Sequence, residues 1–469
     1  MAVNGVHTSP SYILGIDLGT TSVKAALIDR DTKEVVSSVS RETCAGVCSD
    51  LGILGNEQDP SKIIRACSMC VSGLPKHSLI KVSSIGVSGQ MHGCLLWKSG
   101  EGWARRGTGR LDVGKCSQLI TWQDQRCTSD FLRSLPAPKS HLRLSTGHGC
   151  ATLFWMKRNK PDLLDSYDCA GTIQDFLVAM LCGLEKPVMS VQNAASWGYY
   201  DTVNKVWNSG ILSEAGFPVK LLPEVKTPGS NAGNLEYNWY GIPQGVPVGI
   251  ALGDMQCSIL PSLQSETDAV LNISTSAQLS FAMSKKFIPP LTSESGTAVE
   301  YFPYFHDCYL AVAAALTGGN VLATMVKMLQ QWTHELGHGI PQQDIYNKIL
   351  SAAQEINDCD LVVSPTIFGE RHIPNQRASV MNITAENLTL GHLGRAVCRG
   401  IITNLYEMMP RELLVESGVQ QIIGCGSALT RNKILQTEIE NLWKLPVVYC
   451  QGGDAAVGAA LSQTIEYNV

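Results

Sequence analysis

The chain has 469 residues, of which 44% are hydrophobic and 16% are charged, and its formal net charge is −5. A chain of this length and apolar content is expected to fold as a globular protein with two domains. The weak negative charge argues against nucleic acid or an anionic membrane as the main partner. No stretch approaches the ~20 apolar residues that a membrane-spanning helix needs.

The N-terminal segment MAVNGVHTSPSY is polar and lacks the apolar core of a secretory signal, which favours a cytoplasmic location. Sixteen cysteines are scattered along the chain, so we expect reduced thiols rather than a disulfide framework. Cys67 and Cys70 form the single Cys-x-x-Cys pair, in a stretch of helical character. No second pair at suitable spacing completes a zinc site, so we expect both to be packing thiols.

Residues 12–29, YILGIDLGTTSVKAALID, predict a strand, a tight turn and a second strand. Residues 269–282, AVLNISTSAQLSFA, show a related pattern of two apolar strands around a hydroxyl-rich turn. Two such units about half a chain apart suggest a duplicated α/β architecture, with two similar lobes and a cleft between them. The polar segment 260–268 fits a linker between the lobes.

The first of these turns has the composition of a phosphate-binding loop. Its backbone N–H groups and hydroxyls can surround phosphate oxygens, which makes Gly19, Thr20, Thr21 and Ser22 candidates for nucleotide binding. Asp17 at the end of the preceding strand can hold Mg²⁺ directly or through water. An ordinary hairpin with a capping aspartate would have the same local sequence, so the turn alone does not decide between these interpretations.

The pentapeptide HELGH, at residues 334–338, matches the two histidines and the glutamate of zinc peptidases. The residues before it have helical spacing, and the glycines within and after it predict that the helix ends there. The longer metal-binding pattern fails, because Pro341 and Asp344 stand where glycine and histidine are required. Glu355 stays open as a third ligand, but the end of a surface helix is the favoured interpretation.

The turn DLGTTSVKAALID resembles the first phosphate hairpin of the actin, hexokinase and heat-shock ATPase superfamily. Further tracts then resemble the FGGY carbohydrate kinases in order along the chain, namely GVSGQMHG (86–93), TWQDQR (121–126), ALGDMQ (251–256), GERHIPNQRA (369–378), HLGRAVCRGI (392–401), GCGSALTRN (424–432) and DAAVGAAL (454–461). The resemblance implies an α/β fold of two actin-like, ribonuclease H-like lobes with a catalytic cleft between them. It implies an N-terminal domain at residues 10–260, with the sugar site, first hairpin and general base, and a nucleotide-binding C-terminal domain at residues 266–466.

The family's motif positions also imply roles for individual residues. Asp254 corresponds to the general base that accepts the proton of the sugar hydroxyl. A strand-end aspartate that caps a helix is the alternative interpretation of Asp254. The implied sugar-binding residues are Gln90, Met91, His92, Trp122, Asp124, His148, Asn193 and Asp254, with Gln123, Gln174 and Asp175 as further candidates.

Several of these sugar-site residues have a plainer interpretation, since a lone histidine or tryptophan is more often a core residue and a buried amide often only satisfies backbone groups.

For the nucleotide, the resemblance implies two sets of residues. The first hairpin supplies the turn residues named above. The second set is Thr275, Ser276, Gly318, Gly319, Asn320, Gly424, Gly426, Ser427 and Asn432.

The resemblance implies transfer of a phosphoryl group from ATP, with Mg²⁺, to the terminal hydroxyl of a ketose. The tracts WQDQRC, KSHLRLSTGHGCATLFW, GTIQDF, QNAASWGYY and LNISTSAQL favour the seven-carbon ketose sedoheptulose, whose 7-phosphate enters the pentose phosphate pathway, and xylulose is the alternative. The expected partners are therefore a small-molecule sugar and ATP, in a monomer or homodimer. An ATP-switched binding protein of the actin or chaperone type is a different class, which leaves the sugar motifs unexplained.

Overall fold

The structure is a computed structural model that describes residues 11–107, 109–263, 265–290, 297–373 and 375–465. The outer limits predicted for the two domains, residues 10 and 466, lie outside the described residues. We call residues 11–263 lobe I and residues 265–453 lobe II. The two lobes contain separate main sheets. One large hydrophobic cluster lies within lobe II, and the other includes the core of lobe I together with residues of lobe II such as Phe305 and Val312.

Lobe I is built on a mixed sheet that begins with the predicted hairpin. The hairpin strands Tyr12–Leu18 and Ser22–Asp29 are antiparallel, and Val35–Glu42 extends them at the edge. On the other side, Tyr12–Leu18 pairs in parallel with Val82–Gly89. The sheet continues through Pro247–Gly249, Asn231–Asn234 and Leu252–Gly253.

Lobe II repeats this arrangement around the second predicted hairpin. Asp268–Ile273 and Ala277–Ala282 are antiparallel, and Tyr309–Ala315 continues the antiparallel pairing. On its other side, Asp268–Ile273 pairs in parallel with Gln421–Cys425, which pairs in parallel with Val447–Tyr449. Val299–Pro303 is added at the outer edge. In both sheets the first hairpin strand has two successive antiparallel strands on one side and parallel strands on the other, so the predicted two-lobed α/β fold is confirmed.

Helices cover the sheets and form the walls of the cleft. The longer ones in lobe I are Pro60–Ser72, Gly149–Asn159, Ile173–Cys182, Val191–Trp197 and Asp254–Ile259. In lobe II they are Gly319–Glu335, Gln342–Gln354, Leu390–Met408 and Lys433–Trp443. No helix in the part of the chain that the structure describes combines the length and the apolar composition that crossing a membrane requires.

The helix Ala455–Leu461, near the C-terminal end, returns to lobe I. A side chain at Gly15 would come within 1.8 Å of the backbone of this helix, and one at Gly86 within 1.9 Å, so both strands approach the helix closely. The predicted C-terminal domain thus includes a helix that packs against the lobe I sheet. Its apolar, small-residue sequence AAVGAAL permits this close approach but does not specify the sheet on which it packs.

The HELGH segment lies at the end of the lobe II helix Gly319–Glu335, as the glycines predicted. Gly337 has a left-handed backbone with φ of 88°, and both histidines of the segment are exposed. Across the described residues, no group of three histidine, cysteine, aspartate or glutamate side chains could hold a metal ion. All sixteen cysteines are free thiols, and Cys67 and Cys70 are buried in the helix Pro60–Ser72 as expected.

Candidate active site

Two partly buried carboxylates of lobe I, Asp17 and Asp254, lie close to each other. Asp17 is the last but one residue of the first strand of lobe I, and its Oδ1 accepts a hydrogen bond of 3.0 Å from Ser88 Oγ on the parallel neighbour strand. Asp254 is the first residue of the helix Asp254–Ile259, where Met255 N–H donates to its Oδ1 at 2.8 Å. The strand-to-helix connection therefore holds Asp254 at a helix N-terminus, which favours a negative charge.

Burial is the main reason that the pKa of both carboxyl groups is raised. For Asp254, the negative charge of Asp17 raises the pKa further, so the two groups lie close enough to repel each other. For Asp17, the charge of Asp454 adds to the increase, whereas the hydrogen bond from Ser88 lowers the pKa. Two acidic groups that disfavour each other's ionised form are suited to accepting a proton or binding a cation.

Asp454 is a functional candidate that the sequence prediction did not include. Its side chain accepts a hydrogen bond of 2.9 Å from Ala456 N–H and so caps the helix that returns to lobe I. It also forms an ion pair with Lys24 of the first hairpin. An aspartate before the apolar run AAVGAAL signals a helix cap, but only the return of this helix places it near Asp17.

The cavity between the lobes has a volume of about 480 Å³, which is within the range of small-molecule sites. Its lobe I side includes the predicted residues His92, Trp122 and His148. Lobe II supplies Tyr301 and Arg371. Met91, the chain neighbour of the cavity residue His92, is buried against Gly253, the residue before Asp254: a side chain added at Gly253 would lie 2.8 Å from the Met91 sulfur.

His92 and His148 form a stacked pair in this cavity. Their ring centroids are 4.5 Å apart and the ring planes differ by 6°. His92 has a left-handed backbone, with φ of 70°, which is uncommon for a residue other than glycine and is often found at functional sites. Burial lowers the pKa of both imidazoles, so the neutral forms are favoured.

The hydrogen bonds of the two rings show which ring nitrogen is left as an acceptor and which as a donor. His92 Nδ1 lies 2.8 Å from the carbonyl oxygen of Ser196 and must donate to it, which leaves Nε2 of the neutral ring as an acceptor. His148 Nδ1 accepts from Ser145 N–H at 3.3 Å, so its Nε2 carries the proton and is a donor. A hydroxyl group is both a hydrogen-bond donor and an acceptor. The acceptor Nε2 of His92 and the donor Nε2 of His148 can therefore satisfy both capacities of sugar hydroxyls.

Trp122 and Thr20 connect the cavity with the first hairpin. Trp122 is 40% exposed, and its Nε1–H donates to Thr20 Oγ1 at 3.1 Å. Gln90 lies 3.5 Å from the same hydroxyl and is itself buried, with Nε2 donating to Gln58 at 3.0 Å. The side chain of Thr20, predicted for the nucleotide, is thus hydrogen-bonded to residues predicted for the sugar.

Other predicted sugar-site residues are buried in structural networks. Both carboxylate oxygens of Asp124 accept hydrogen bonds, from Arg126 and from the N–H of Asn56, and the side chain is inaccessible to solvent. Asn193 donates to the carbonyl of Ala251 at 3.1 Å. Gln174 and Asp175 are buried beside it, and Gln123 is exposed next to Asn56. The hydrogen bonds of Asp124 and Asn193 therefore stabilise the segments that carry cavity residues and Asp254. Direct contact of Asp124 or Asn193 with a sugar stays a prediction.

On the nucleotide side, the structure brings three predicted segments together. Gly319 N–H donates to Ser274 O at 2.8 Å, and Asn320 N–H donates to Thr275 O at 3.0 Å, so the second hairpin turn lies against the N-terminus of the helix Gly319–Glu335. A side chain at Gly319 would lie 3.1 Å from Ala428, which follows the third segment. Exposed Thr275 and Ser276, together with this helix N-terminus, form a surface suited to an anion.

The remaining nucleotide candidates divide into exposed and buried residues. Thr21 and Ser427 are exposed, and Gly426 has φ of 96° and packs on the second hairpin. Gly424 is buried against the ring of Tyr449, where a side chain would clash at 2.7 Å. Asn432 is buried, and its Oδ1 caps the helix Lys433–Trp443. The packing of buried Gly424 and Asn432 accounts for these two residues without a nucleotide. Gly426 stays a candidate for nucleotide binding.

Known proteins with similar sequence and structure agree with this architecture. Residues 12–261 match the N-terminal domain of the FGGY family of carbohydrate kinases. The chain belongs to the FGGY family of carbohydrate kinases. It is 50% identical over 457 residues to a sedoheptulokinase of Mus musculus, and 50% identical over 459 residues to a sedoheptulokinase of Homo sapiens, with 96% of both chains covered in each case.

Solved structures with lower identity show the same fold. A xylulose kinase from Rhodospirillum rubrum superimposes with a TM-score of 0.80 at 18% identity, covering 97% of this chain and 89% of that one. A Plasmodium falciparum glycerol kinase with ADP gives a TM-score of 0.76 at 18% identity, with 97% and 89% of the two chains covered.

Proposed function

We propose that the protein transfers the γ-phosphoryl group of ATP to the terminal primary hydroxyl of sedoheptulose, giving sedoheptulose 7-phosphate. The main support is the 50% identity to two sedoheptulokinases across 96% of the chain. The cavity lined by His92, Trp122 and His148, together with the partly buried carboxylates of Asp17 and Asp254, offers the groups that such a transfer needs. The product would enter the pentose phosphate pathway, and the reaction would take place in the cytoplasm.

In this proposal Asp254 is the general base. Its carboxylate accepts the proton of the terminal hydroxyl as the oxygen attacks phosphorus, and the raised pKa brings its basicity closer to that required near neutral pH. The helix N-terminus and the Met255 N–H hold one oxygen in place, so the other can face the substrate. The charge of Asp17 favours protonation of Asp254.

The residues of the cleft fit ATP and Mg²⁺. Asp17 offers a hard oxygen ligand, and a divalent cation bound there would relieve its repulsion with Asp254. Mg²⁺ commonly uses one or two carboxylates together with water and phosphate oxygens, so a closed cage of protein ligands is not required. When bound, the ion neutralises charge that develops on the transferred group. The second hairpin turn and the N-terminus of the helix Gly319–Glu335 would hold the nucleotide phosphates.

The sugar would lie in the cavity against Trp122, with hydroxyls paired to the His92–His148 stack. The neutral stack binds hydroxyl groups without introducing a charge. Approach of the two lobes would exclude water, which otherwise competes with the sugar for the phosphoryl group. This chemistry needs one chain, so a monomer would suffice, and a homodimer is equally compatible with it.

A substrate panel tests the proposal. ADP release is measured with sedoheptulose, xylulose, ribulose and glycerol in the presence of ATP and Mg²⁺. We expect the highest kcat/KM with sedoheptulose. A clear preference for xylulose would replace sedoheptulose by the alternative ketose, and sugar-independent ATP hydrolysis alone would contradict a sugar kinase.

The base is tested with Asp254→Asn. We expect kcat to fall by roughly 10²–10⁴-fold, the usual contribution of general acid–base catalysis. ATP binding and the melting temperature should stay close to those of the unchanged protein. Asp31→Asn, at the exposed turn between the strands Ser22–Asp29 and Val35–Glu42, is the matched control and should keep full activity. Near-normal turnover of Asp254→Asn would remove the assignment of the base.

A further inference from the structure

A single cationic side chain of lobe II, Arg371, lines the sugar cavity opposite the histidine stack. It lies in the loop between the short strands Val362–Ser364 and Ser379–Met381. Among the residues that the structure describes, no hydrogen bond or ion pair is found for this guanidinium. An arginine that is free to donate into a cavity has hydrogen-bonding capacity for a ligand.

The loop that carries Arg371 is anchored by its neighbour. Glu370 is inaccessible to solvent, and its carboxylate accepts from Leu316 N–H at 2.7 Å, Thr317 Oγ1 at 3.0 Å and Asn404 Nδ2 at 2.9 Å. Three hydrogen bonds to a buried carboxylate fix the backbone at Glu370 and so restrict the position of Arg371. Leu316 and Thr317 directly precede Gly318, so the same anchor joins the sugar cavity to the nucleotide turn.

The effect of Arg371 on the pKa values of nearby groups indicates which residues it lies close to. Burial is the largest cause of the lowered pKa of His92 and of His148, and the charge of Arg371 lowers both further. For Asp254, by contrast, the causes of the raised pKa are burial and the charge of Asp17. Arg371 lines the same cavity as the two histidines and lies near their stack.

We propose that Arg371 is a sugar-binding and specificity-determining residue that donates hydrogen bonds to the oxygens at C1 and C2 of the ketose. This rests on the proposed function, in which the opposite, terminal hydroxyl lies at Asp254. Oxygens on adjacent carbons match the planar fork of a guanidinium, which can bind both at once. Because Arg371 comes from lobe II and the histidine stack from lobe I, one bound sugar connects the two lobes.

The first test compares Arg371→Ala and Arg371→Lys with the unchanged protein, using the ketose that the unchanged protein phosphorylates best. Hydrogen bonds to charged groups imply a roughly ten- to hundredfold rise in the sugar KM for Arg371→Ala. The KM for ATP and kcat should change less than about threefold. Arg371→Lys should recover only part of the affinity, because lysine lacks the fork. Arg377→Ala, which removes the same charge from the same loop, is the control and should leave the sugar KM unchanged.

The second test uses the 1-deoxy derivative of that ketose. Loss of the C1 hydroxyl should weaken binding to the unchanged protein but have little further effect in Arg371→Ala, because the partner is already absent. An unchanged sugar KM in Arg371→Ala, or an equal penalty for the deoxy sugar in both proteins, would overturn the assignment. An effect of Arg371→Ala that is confined to kcat and to the KM for ATP would also overturn the assignment. If the unchanged protein prefers xylulose, the proposed substrate is wrong, and the same measurements with xylulose and 1-deoxyxylulose still decide the role of Arg371.

Discussion

The two hairpins share a backbone design but differ in charge at one equivalent position. Asp17 is the last but one residue of Tyr12–Leu18, and Asn272 is the last but one residue of Asp268–Ile273. In both lobes this strand has an antiparallel neighbour on one side and a parallel neighbour on the other. Asp17 lies close to a second, partly buried carboxylate, that of Asp254, whereas Asn272 is exposed and accepts from Ser274 Oγ at 3.2 Å.

This difference shows how one duplicated scaffold can serve two purposes. The negative charge in lobe I is suited to a cation and to proton transfer, while the neutral amide in lobe II leaves the hairpin turn able to approach phosphates without repulsion. Fold duplication thus supplies two similar hairpins, and the proposed function predicts that the residue near the strand end sets the chemistry of each one. Changes at these positions should therefore have unequal effects.

The largest effect is expected for Asp17→Asn. Loss of this charge removes a predicted ligand of Mg²⁺, and kcat should fall by about two orders of magnitude or more, since charge stabilisation by a bound metal is worth several kcal/mol. In lobe II, Asn272→Ala should change kcat only a few-fold. Steady-state kinetics at several Mg²⁺ concentrations checks both, and equal losses in the two variants would contradict the division of labour between the hairpins.

A second prediction concerns pH. Because burial raises the pKa of Asp254, this carboxyl group is protonated at a higher pH than an ordinary aspartate, and only its ionised form can accept a proton. As pH falls, kcat/KM should therefore decrease beginning above the usual aspartate range, by up to about tenfold per pH unit. A pH profile of kcat/KM, measured where the protein stays folded, checks this. Full activity down to pH 5 would be incompatible with such a base.

Replacement of either carboxylate, Asp17 or Asp254, by an amide should lower the activity without lowering the stability. A raised folded-state pKa means that the ionised carboxylates disfavour folding at pH values above the unfolded-state pKa. Asp17→Asn and Asp254→Asn should thus keep or increase the melting temperature at pH 7 while losing activity. Thermal unfolding of both variants beside the unchanged protein measures this, and a large decrease would indicate that the carboxylates have a structural role instead.

A smaller effect is expected in lobe II for Gly426→Ala. A methyl group there would lie 2.4 Å from Asn272 Oδ1 and from Ile273 O, on a backbone with φ of 96°. The second hairpin must shift, and the KM for ATP should rise roughly tenfold, because such strain costs about 1–3 kcal/mol. Gly337→Ala has a similar φ of 88° but open space around it, and it should leave the KM for ATP unchanged. Equal behaviour of the two variants would exclude a nucleotide role for Gly426.

No effect is expected when the HELGH histidines are replaced. Both are exposed at the end of a helix, away from the cleft residues described above. His334→Ala with His338→Ala should keep the kinase activity, and metal analysis of the purified protein should find less than stoichiometric zinc. Stoichiometric zinc that is lost in the double variant would restore the metal-site hypothesis. Chelation by EDTA cannot replace this measurement, because it also removes Mg²⁺.

Local sequence was sufficient for the two hairpins, the end of the HELGH helix and the strand-to-helix position of Asp254, since turn residues and hydrophobic periodicity act over a few neighbours. Ordered motifs along the chain also indicated the family. The same motifs, however, suggested similar roles for residues that the structure separates. Asp124 is enclosed by Arg126, and Asn432 caps a helix, because a motif does not show which side chains are buried.

The sequence by itself determined the duplicated hairpins, the family and the carboxylates that could do chemistry. Tertiary structure alone brought Asp454 to Asp17, paired His92 with His148 and placed Arg371 of lobe II in the cavity that the histidines line. These residues are separated by tens to hundreds of positions along the chain. Their proximity depends on packing of the returning helix and on the anchoring of Glu370, which are long-range contacts that local propensity does not encode.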